Sequence, residues 1–542
     1  MRLHVAHMKI PIAYVSDENY LALPDVKAEF ESLENGEVFL LASSPRGAFY
    51  GDLPPGRYHA TLSKEGYGSK WVECNIKRDE PYQFRLLSDC LLGYMWPKWA
   101  REGERSEVRG HSPEQYQLTL WRYGLKKEAR GVISWYDEHG PRATVQTTPD
   151  GDYSQTGVDW NRHGYLVPHP QQFVTAPSPS GLYYLWARTQ SGDTFSFPWV
   201  VAPREPRAKI AVLASTNTWN VYNNFGGRSN YINSGGLPPA PTVNARQDLA
   251  RYTNPAGPWS IPDGEFKPLS FDRPEPGNHI FDNDPWSDSS IADPIQGRIQ
   301  CGQAPGEWRL LGWLEREGFE YDYYAEAQLH DGTLPLDAYQ VLMISVHPEY
   351  WTREMFAKVD TWVREQGGRL MYLGGNGLNC EVTLEGNATL RCMSYDDTSA
   401  PGSEHESRIH RTYRPEAELL GVAFTKQGVM TAAPYKVIAP DHWVFDGTGL
   451  GVGDFFGETS LHERVPGGAS GHETDKITAS SPRNIQHLAK GTNPNEGGAD
   501  MVVFEHGKGA VFSVGSITWV SSLFPDAHVS RITRNVVERF MR

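Results

Sequence analysis

The hydrophobic pattern of this chain changes abruptly at APREPRAK, residues 202–209. Before that segment, apolar residues come in short, partly alternating runs such as KIPIAYV, EVFLLAS, GRYHATLS, SKWVECNI and PYQFRLL. Period-two alternation bounded by turn residues predicts half-buried antiparallel strands. QYQLTLWRYG, ARGVISWYD, GLYYLWART and FSFPWVVA continue it at sandwich-like spacing. After the segment, IAVLAS (210–215) and VLMISV (341–346) are unbroken apolar runs, as a strand buried on both faces requires. WTREMFAKVDTWVREQGG (351–368) sets Met355, Phe356, Val359, Trp362 and Val363 on one helical face and stops at paired glycines. RLMYLGG (369–375) follows as a strand and completes a βαβ unit. The expected fold class is therefore an α/β, mainly parallel open sheet, Rossmann-like or glutamine-amidotransferase-like, preceded by β-sandwich-like modules.

Three units are expected: a small β module over 1–80, a β-sandwich-like domain over 81–205, and an α/β domain over 206–542 that carries the site. With 542 residues the chain exceeds what one hydrophobic core organises. Its 51 Lys+Arg against 66 Asp+Glu leave a charge of −15, which argues against nucleic acid or an anionic membrane as partner. No apolar run approaches a membrane span. The start, MRLHVAHMKIPIAYVSDENY, lacks the apolar core and small-residue cleavage pattern of a signal peptide, so a cytoplasmic location is expected. Five widely spaced cysteines without C-x-x-C fit a reducing compartment and not structural zinc. The 17 Trp and 26 Tyr read first as β-sheet packing.

Open α/β sheets bind ligands beyond the carboxyl ends of their strands. Strand 210–215 ends in TNTWNVYNN, strand 341–346 in His347-Pro348-Glu349-Tyr350-Trp351, and strand 369–373 in Gly374-Gly375-Asn376-Gly377. Parallel strands would bring these polar ends to one edge. A His and a carboxylate there can ligate a metal or exchange protons. The bland alternative has Glu349 capping the following helix and His347 satisfying a loop carbonyl. Tyr222 and Tyr231 flank a glycine-containing loop; a phenol needs a strong Lewis acid such as ferric iron to ligate as phenolate. The Gly/Pro/Asn/Asp-rich stretch from about 223 to 300 is long enough to wall a site.

Several chemistries are disfavoured. There is no G-x-S-x-G elbow and no G-x-x-x-x-G-K-[ST] loop. HESRIH (405–410) spaces its histidines five apart, which turns them away from each other on a helix. Cys380 lies off any sharp strand–helix elbow, so a cysteine nucleophile is poorly supported. Trp96, Trp99, Trp121 and Trp135 admit a carbohydrate-binding or scaffold alternative, although core packing explains them equally well. Asp441-His442-Trp443, the 471–475 segment and His487 are late polar clusters, each of which a solvent loop would also explain. Among them Glu473 stands out as a second carboxylate in a non-periodic segment.

The second half resembles the large (β) subunit family of N,N-dimethylformamidase. The resemblance lies in NTWNVYNNFGG (217–227), SFDRP (270–274), HPEYW (347–351), GGNG (374–377), DHWVFDGTGL (441–450), GHETD (471–475), HLAKGTNPNEGGADMVVFE (487–505) and GAVFSVGSITWVSSL (509–523), in that order. It implies hydrolysis of a small N-substituted amide to carboxylate and amine, with mononuclear ferric iron held by two tyrosines and a glutamate; another metal is the alternative. By motif, Glu349 resembles the glutamate ligand, His347 its acid–base neighbour, Asn376 a polar pocket residue and Glu473 the other active-site carboxylate. Tyr222 matches one tyrosine. Tyr231 is the candidate for the second, but a tyrosine expected just after SFDRP is Glu275 here, so Glu275 could take that place. The expected partners are a small amide substrate and a second copy of the chain, with no nucleic acid and no membrane; a separate small subunit does not follow from the resemblance. A different C–N or ester hydrolase on the same scaffold is the enzyme alternative.

Overall fold

In the first module Lys27–Ser32 buries Ala28 and Phe30 while Lys27, Glu29 and Glu31 face solvent, as its alternation requires. The computed structural model describes residues 10–136, 145–146, 148–158, 172–243, 266–280, 303–386, 388–393, 409–462 and 464–542. Lys27–Ser32 pairs antiparallel with Val38–Ala42 and Gly56–Ser63, and Ser69–Ile76 extends the sheet. A second sheet of Ala48–Phe49, Ala13–Ser16 and Tyr82–Arg85 closes the module, whose core therefore runs past residue 80. There Phe30 meets Phe49, Tyr58 and Phe84 at centroid distances of 6.2, 6.2 and 6.0 Å, where tilted and edge-on aromatic pairs attract.

The next module is again two sheets. Tyr116–Tyr123, Gly181–Thr189 and Thr194–Ala202 form long antiparallel ladders. Leu92–Trp96, Arg105–His111 and Gln172–Thr175 form the second sheet, and Tyr183, Leu185, Phe197 and Trp199 pack in the shared core. The alternate residues Leu182, Tyr184 and Trp186 turn the other way, into a core shared with the C-terminal half. Tyr123 packs there against Trp308 at 4.6 Å. The joint at 202–209 thus links two units that share one hydrophobic interior.

The C-terminal half is organised by a nine-stranded mixed sheet. Its parallel run is Tyr321–Ala325, Ile210–Ala214, Val341–Val346, Arg369–Gly374 and Gly509–Ser513. Asp500–His506, Gln486–Gly491, Tyr435–Val437 and Phe455–Phe456 continue it antiparallel. The unbroken apolar runs resolve into two faces. Ile210, Val212, Val341, Met343, Met371 and Leu373 pack with the helices Ala304–Glu317 and Ala527–Phe540. Ala211, Leu213, Leu342, Ile344, Leu370 and Tyr372 pack with the helix Arg353–Gln366. His506 and Gly509 pair across the tight turn that joins Asp500–His506 to Gly509–Ser513.

This architecture corrects the expected fold class. The described residues are 37% strand and 17% helix, most of their ladders are antiparallel, and they form a β-rich protein built with sandwich-like modules, not a mainly parallel α/β open sheet. Even the largest sheet has as many antiparallel as parallel ladders. The cause is the span between Arg353–Gln366 and Ala527–Phe540, where the described residues form only helices of one turn. A parallel connection needs a crossover of a dozen or more residues, usually helical; without long helices the chain returns by hairpins. The strand–helix–strand signal of 341–374 was extended too far.

Candidate active site

The parallel strands deliver their ends to one buried cluster. Ile210–Ala214 leads into the short helix Thr216–Val221, and Tyr222 is its C-cap. The loop after it folds back, with the Ser229 Oγ accepting from Tyr231 N and Ile232 N at 3.1 and 3.2 Å. Arg273, from the SFDRP segment, locks that loop. Its buried guanidinium donates to the carbonyls of Phe225, Arg228 and Asn220 at 2.6, 3.1 and 3.0 Å. The two tyrosine rings are thereby stacked at 4.5 Å and 20°.

Val346 ends the neighbouring strand with φ 60, unusual and strained for a β-branched residue. The turn presents His347 and Glu349, and Glu349 N donates to His347 O and to Thr218 Oγ1. Thr352, not Glu349, caps the following helix by accepting from Met355 N at 3.1 Å. Beyond Arg369–Gly374, Asn376 takes φ 53. Its backbone N–H donates to Asp475 Oδ1 at 2.8 Å, and Tyr372 OH donates to Asp475 Oδ2 at 2.6 Å. Gly375 is needed for close approach: a Cβ there would lie 2.3 Å from the Glu473 carbonyl oxygen.

These turns bring Tyr222, Tyr231, His347, Glu349, Asn376 and Glu473 together, all buried. Tyr222 OH donates to Glu349 Oε2 at 2.6 Å, and Tyr231 OH lies 2.7 Å from Tyr222 OH and 3.4 Å from the same carboxylate oxygen. His347 Nε2 stands 3.2 Å from Glu349 Oε2 and 3.0 Å from Glu473 Oε2. Asn376 Nδ2 donates to Glu473 Oε2 at 2.8 Å, while its Oδ1 is buried without a hydrogen-bond partner among the described residues. Burial alone would lower the His347 pKa, but the Glu473 and Glu349 carboxylates outweigh it and push the imidazole up to about 9. Burial pushes the Asp475 carboxyl up to about 7, against the bonds it accepts from Tyr372 and Asn376.

Among the described residues, no group of three His, Cys, Asp or Glu side chains forms a metal-holding set by itself. Phenol oxygens supply what is missing. Tyr222 OH, Tyr231 OH and Glu349 Oε2 are separated by 2.6, 2.7 and 3.4 Å. Metal–oxygen bonds of about 2 Å set adjacent donors about 3 Å apart. The spacing and the hard anionic chemistry of this triad fit iron.

The remaining expected residues lie elsewhere in the bonding pattern. Glu275 is buried in an ion pair with Lys98 Nζ at 2.6 Å and accepts from Asn278 Nδ2 at 2.9 Å. His442 caps a short turn by accepting from Val444 N, and His487 pairs with Asp500 at 3.1 Å. Trp99 is buried and packs on Phe271 at 5.3 Å; Trp135 is 55% exposed. Residues 405–408 of HESRIH and much of the 223–300 stretch lie outside the described residues. Sequence reasoning gave no role to Tyr350, whose OH lies 2.7 Å from Tyr231 OH, and weighed Cys380 only as a poorly supported nucleophile; its Sγ lies 3.9 Å from Glu349 Oε1. It also passed over Asp475, although period two places it on the same strand face as Glu473.

Comparisons with known proteins bear on the family of the chain. The N,N-dimethylformamidase beta subunits of Paracoccus aminophilus and of an Alcaligenes species are 29% and 28% identical to the chain over 300 residues. Each match covers 46% of this chain and 38% of the relative, so the chain spans well under half of either relative's length. A solved structure of the Bacteroides ovatus mixed-linkage glucan utilization locus protein SGBP-B aligns at 10% identity over 36% of this chain and 44% of its own, with a TM-score of 0.14, too low to bear on fold or function. The family model described as "N,N-dimethylformamidase beta subunit-like, C-terminal" matches residues 118–530, a span that contains every residue of the cluster. The chain belongs to the N,N-dimethylformamidase beta subunit-like C-terminal family.

Proposed function

We propose that the cluster hydrolyses small N-substituted amides, in the manner named for the curated relatives, with iron held by Tyr222, Tyr231 and Glu349. The observation that carries the proposal is the convergence of two phenols, two carboxylates, an imidazole and an amide within one buried hydrogen-bonded set. Bound iron would supply Lewis acidity toward the amide carbonyl. The protein side chains do the rest. His347, held protonated between Glu349 and Glu473, is placed to give its proton to the departing nitrogen while the attacking water loses one. Glu473 receives or relays the water's proton. Asn376, held by Glu473 through Nδ2, offers its unpartnered Oδ1 to a donor on water or on the leaving amine. Water adds to the carbonyl carbon, the C–N bond breaks, and the amine leaves with the proton from His347.

Both curated relatives are named beta subunits, and on that ground we extend the proposal to an assembly with a further subunit. No helix among the described residues is long and apolar enough to cross a membrane.

The test is amine release from a panel of small formamides and acetamides by the iron-loaded full chain. The expected result is turnover of at least one N-substituted member, reduced about 100-fold or more in His347→Gln and Glu473→Gln. A silent panel, or variants as active as the parent chain, would overturn the proposal.

A further inference from the structure

Among the described residues three phenols are linked at this site, and their hydrogens can be counted. Each phenol carries one hydrogen to donate and an oxygen that can accept. Tyr222 spends its hydrogen on Glu349 Oε2 at 2.6 Å, and Tyr231 spends its own on Tyr222 at 2.7 Å. The contact between Tyr231 OH and Tyr350 OH, also 2.7 Å, can then be made only if Tyr350 donates. The bonds form a directed line from Tyr350 through Tyr231 and Tyr222 to Glu349.

Tyr350 is well fixed for this task. It is fully buried, directly follows Glu349, and pairs with Cys380 in a short parallel ladder. Its carbonyl accepts from Asn217 Nδ2 at 2.9 Å. Its ring stands edge-on to Tyr222 at 6.3 Å, whereas Tyr231 stacks flat on Tyr222 at 4.5 Å. It is Tyr231, then, whose oxygen lies within 3.4 Å of Glu349 Oε2. Tyr350 is joined to the triad through Tyr231.

We infer that Tyr350 is a positioning residue: by donating a hydrogen bond to the Tyr231 oxygen it aims and electronically tunes the second phenol donor of the site. This rests on the iron reading proposed above. When Tyr222 and Tyr231 exchange their hydrogens for a metal, the Tyr350 bond still points at the Tyr231 oxygen. A hydrogen bond to a phenolate stabilises its donor electrons, so its removal shifts phenolate-to-ferric charge transfer to lower energy; it also removes the contact that aims the Tyr231 oxygen, which weakens retention of the metal.

The experiment is titration of the full chain with ferric iron, followed by visible absorption and by metal content after gel filtration. Tyr350→Phe, Tyr231→Phe and the parent chain are compared, and far- and near-UV circular dichroism confirms that each is folded. Tyr350→Phe is expected to bind iron with a charge-transfer band at longer wavelength and retention weaker by about tenfold. Tyr231→Phe is expected to lose about half the band intensity, as one of two phenolates is removed. A Tyr350→Phe spectrum identical to the parent's overturns the inference, as does Tyr350→Phe behaving like a lost ligand while Tyr231→Phe does not. An iron-free, colourless parent chain overturns the iron reading itself, an outcome the variants cannot mimic. If Tyr350→Phe fails to fold, Tyr350→Trp, which restores a ring with a single N–H donor, must restore the parent's band position; failure to do so overturns the inference.

Discussion

At the scale of single residues, the cluster depends on backbone conformations that sit beside each functional side chain. Val346 before His347, Asn376 itself and His472 before Glu473 all have positive φ, at 60, 53 and 66. None is glycine, so each costs about 1–3 kcal/mol and is held by its surroundings. Gly375 lies where those turns touch, with the Glu473 carbonyl and Ile517 N in the way of any Cβ, at 2.3 and 2.8 Å. Gly375→Ala must therefore push the Glu473 segment outward. Melting temperature should fall by the equivalent of about 1–3 kcal/mol, and amine release should drop about 100-fold, because a small misplacement of a catalytic group is enough. A variant that melts lower yet turns over normally would show that Glu473 is not placed by this contact. His347, Glu349 and Asn376 were legible from sequence because they directly follow buried strands. Tyr350 was not, since a tyrosine between a motif glutamate and a tryptophan looks like core packing, and one hydrogen bond distinguishes the two.

Elements show the same division. The site-bearing strands were readable because strands buried on both faces leave unbroken apolar runs. The antiparallel half of the sheet was not, because Gln486–Gly491 and Tyr435–Val437 are short and their pairing is set by distant partners. SFDRP was recognisable as a motif, yet its physical role appears only in the fold: Arg273 is a buried clamp on four carbonyls of the phenol-bearing loop and its own segment. The helix Arg353–Gln366 behind the site has its own tether. Asp360 receives His506 Nε2 at 2.7 Å and Arg414 Nη1 at 3.0 Å. Burial would raise its pKa, but those two partners outweigh burial and lower it to about 2. A depressed carboxyl stabilises the fold above its unfolded pKa of about 4. That contribution, about 2 kcal/mol, disappears as pH falls through about 2. Asp360→Asn should therefore be less stable than the parent chain at neutral pH by roughly that amount. The gap should close on acidification in denaturant melts; a gap independent of pH between 5 and 2 would contradict the account.

Across the whole molecule, the β modules are more than appendages. Trp308 Nε1 donates to Gly124 O at 2.8 Å, Arg122 pairs with Glu315 at 2.6 Å, and Lys98 from the second module holds Glu275 just beyond the Arg273 clamp. The family match begins at residue 118, inside that module. Sequence periodicity reads 202–209 as a joint from its change of pattern, but pattern cannot reveal that the two sides share one core. It also overestimated how far the parallel sheet extends. On the function proposed above, this β-rich scaffold builds a metal site from two phenols and one carboxylate. Elemental analysis of the purified full chain, alongside Glu349→Gln, tests it most directly. The account predicts stoichiometric iron in the parent chain, with iron lost from the variant while its fold persists; a parent chain that holds no iron and takes up neither ferrous nor ferric ion would contradict it.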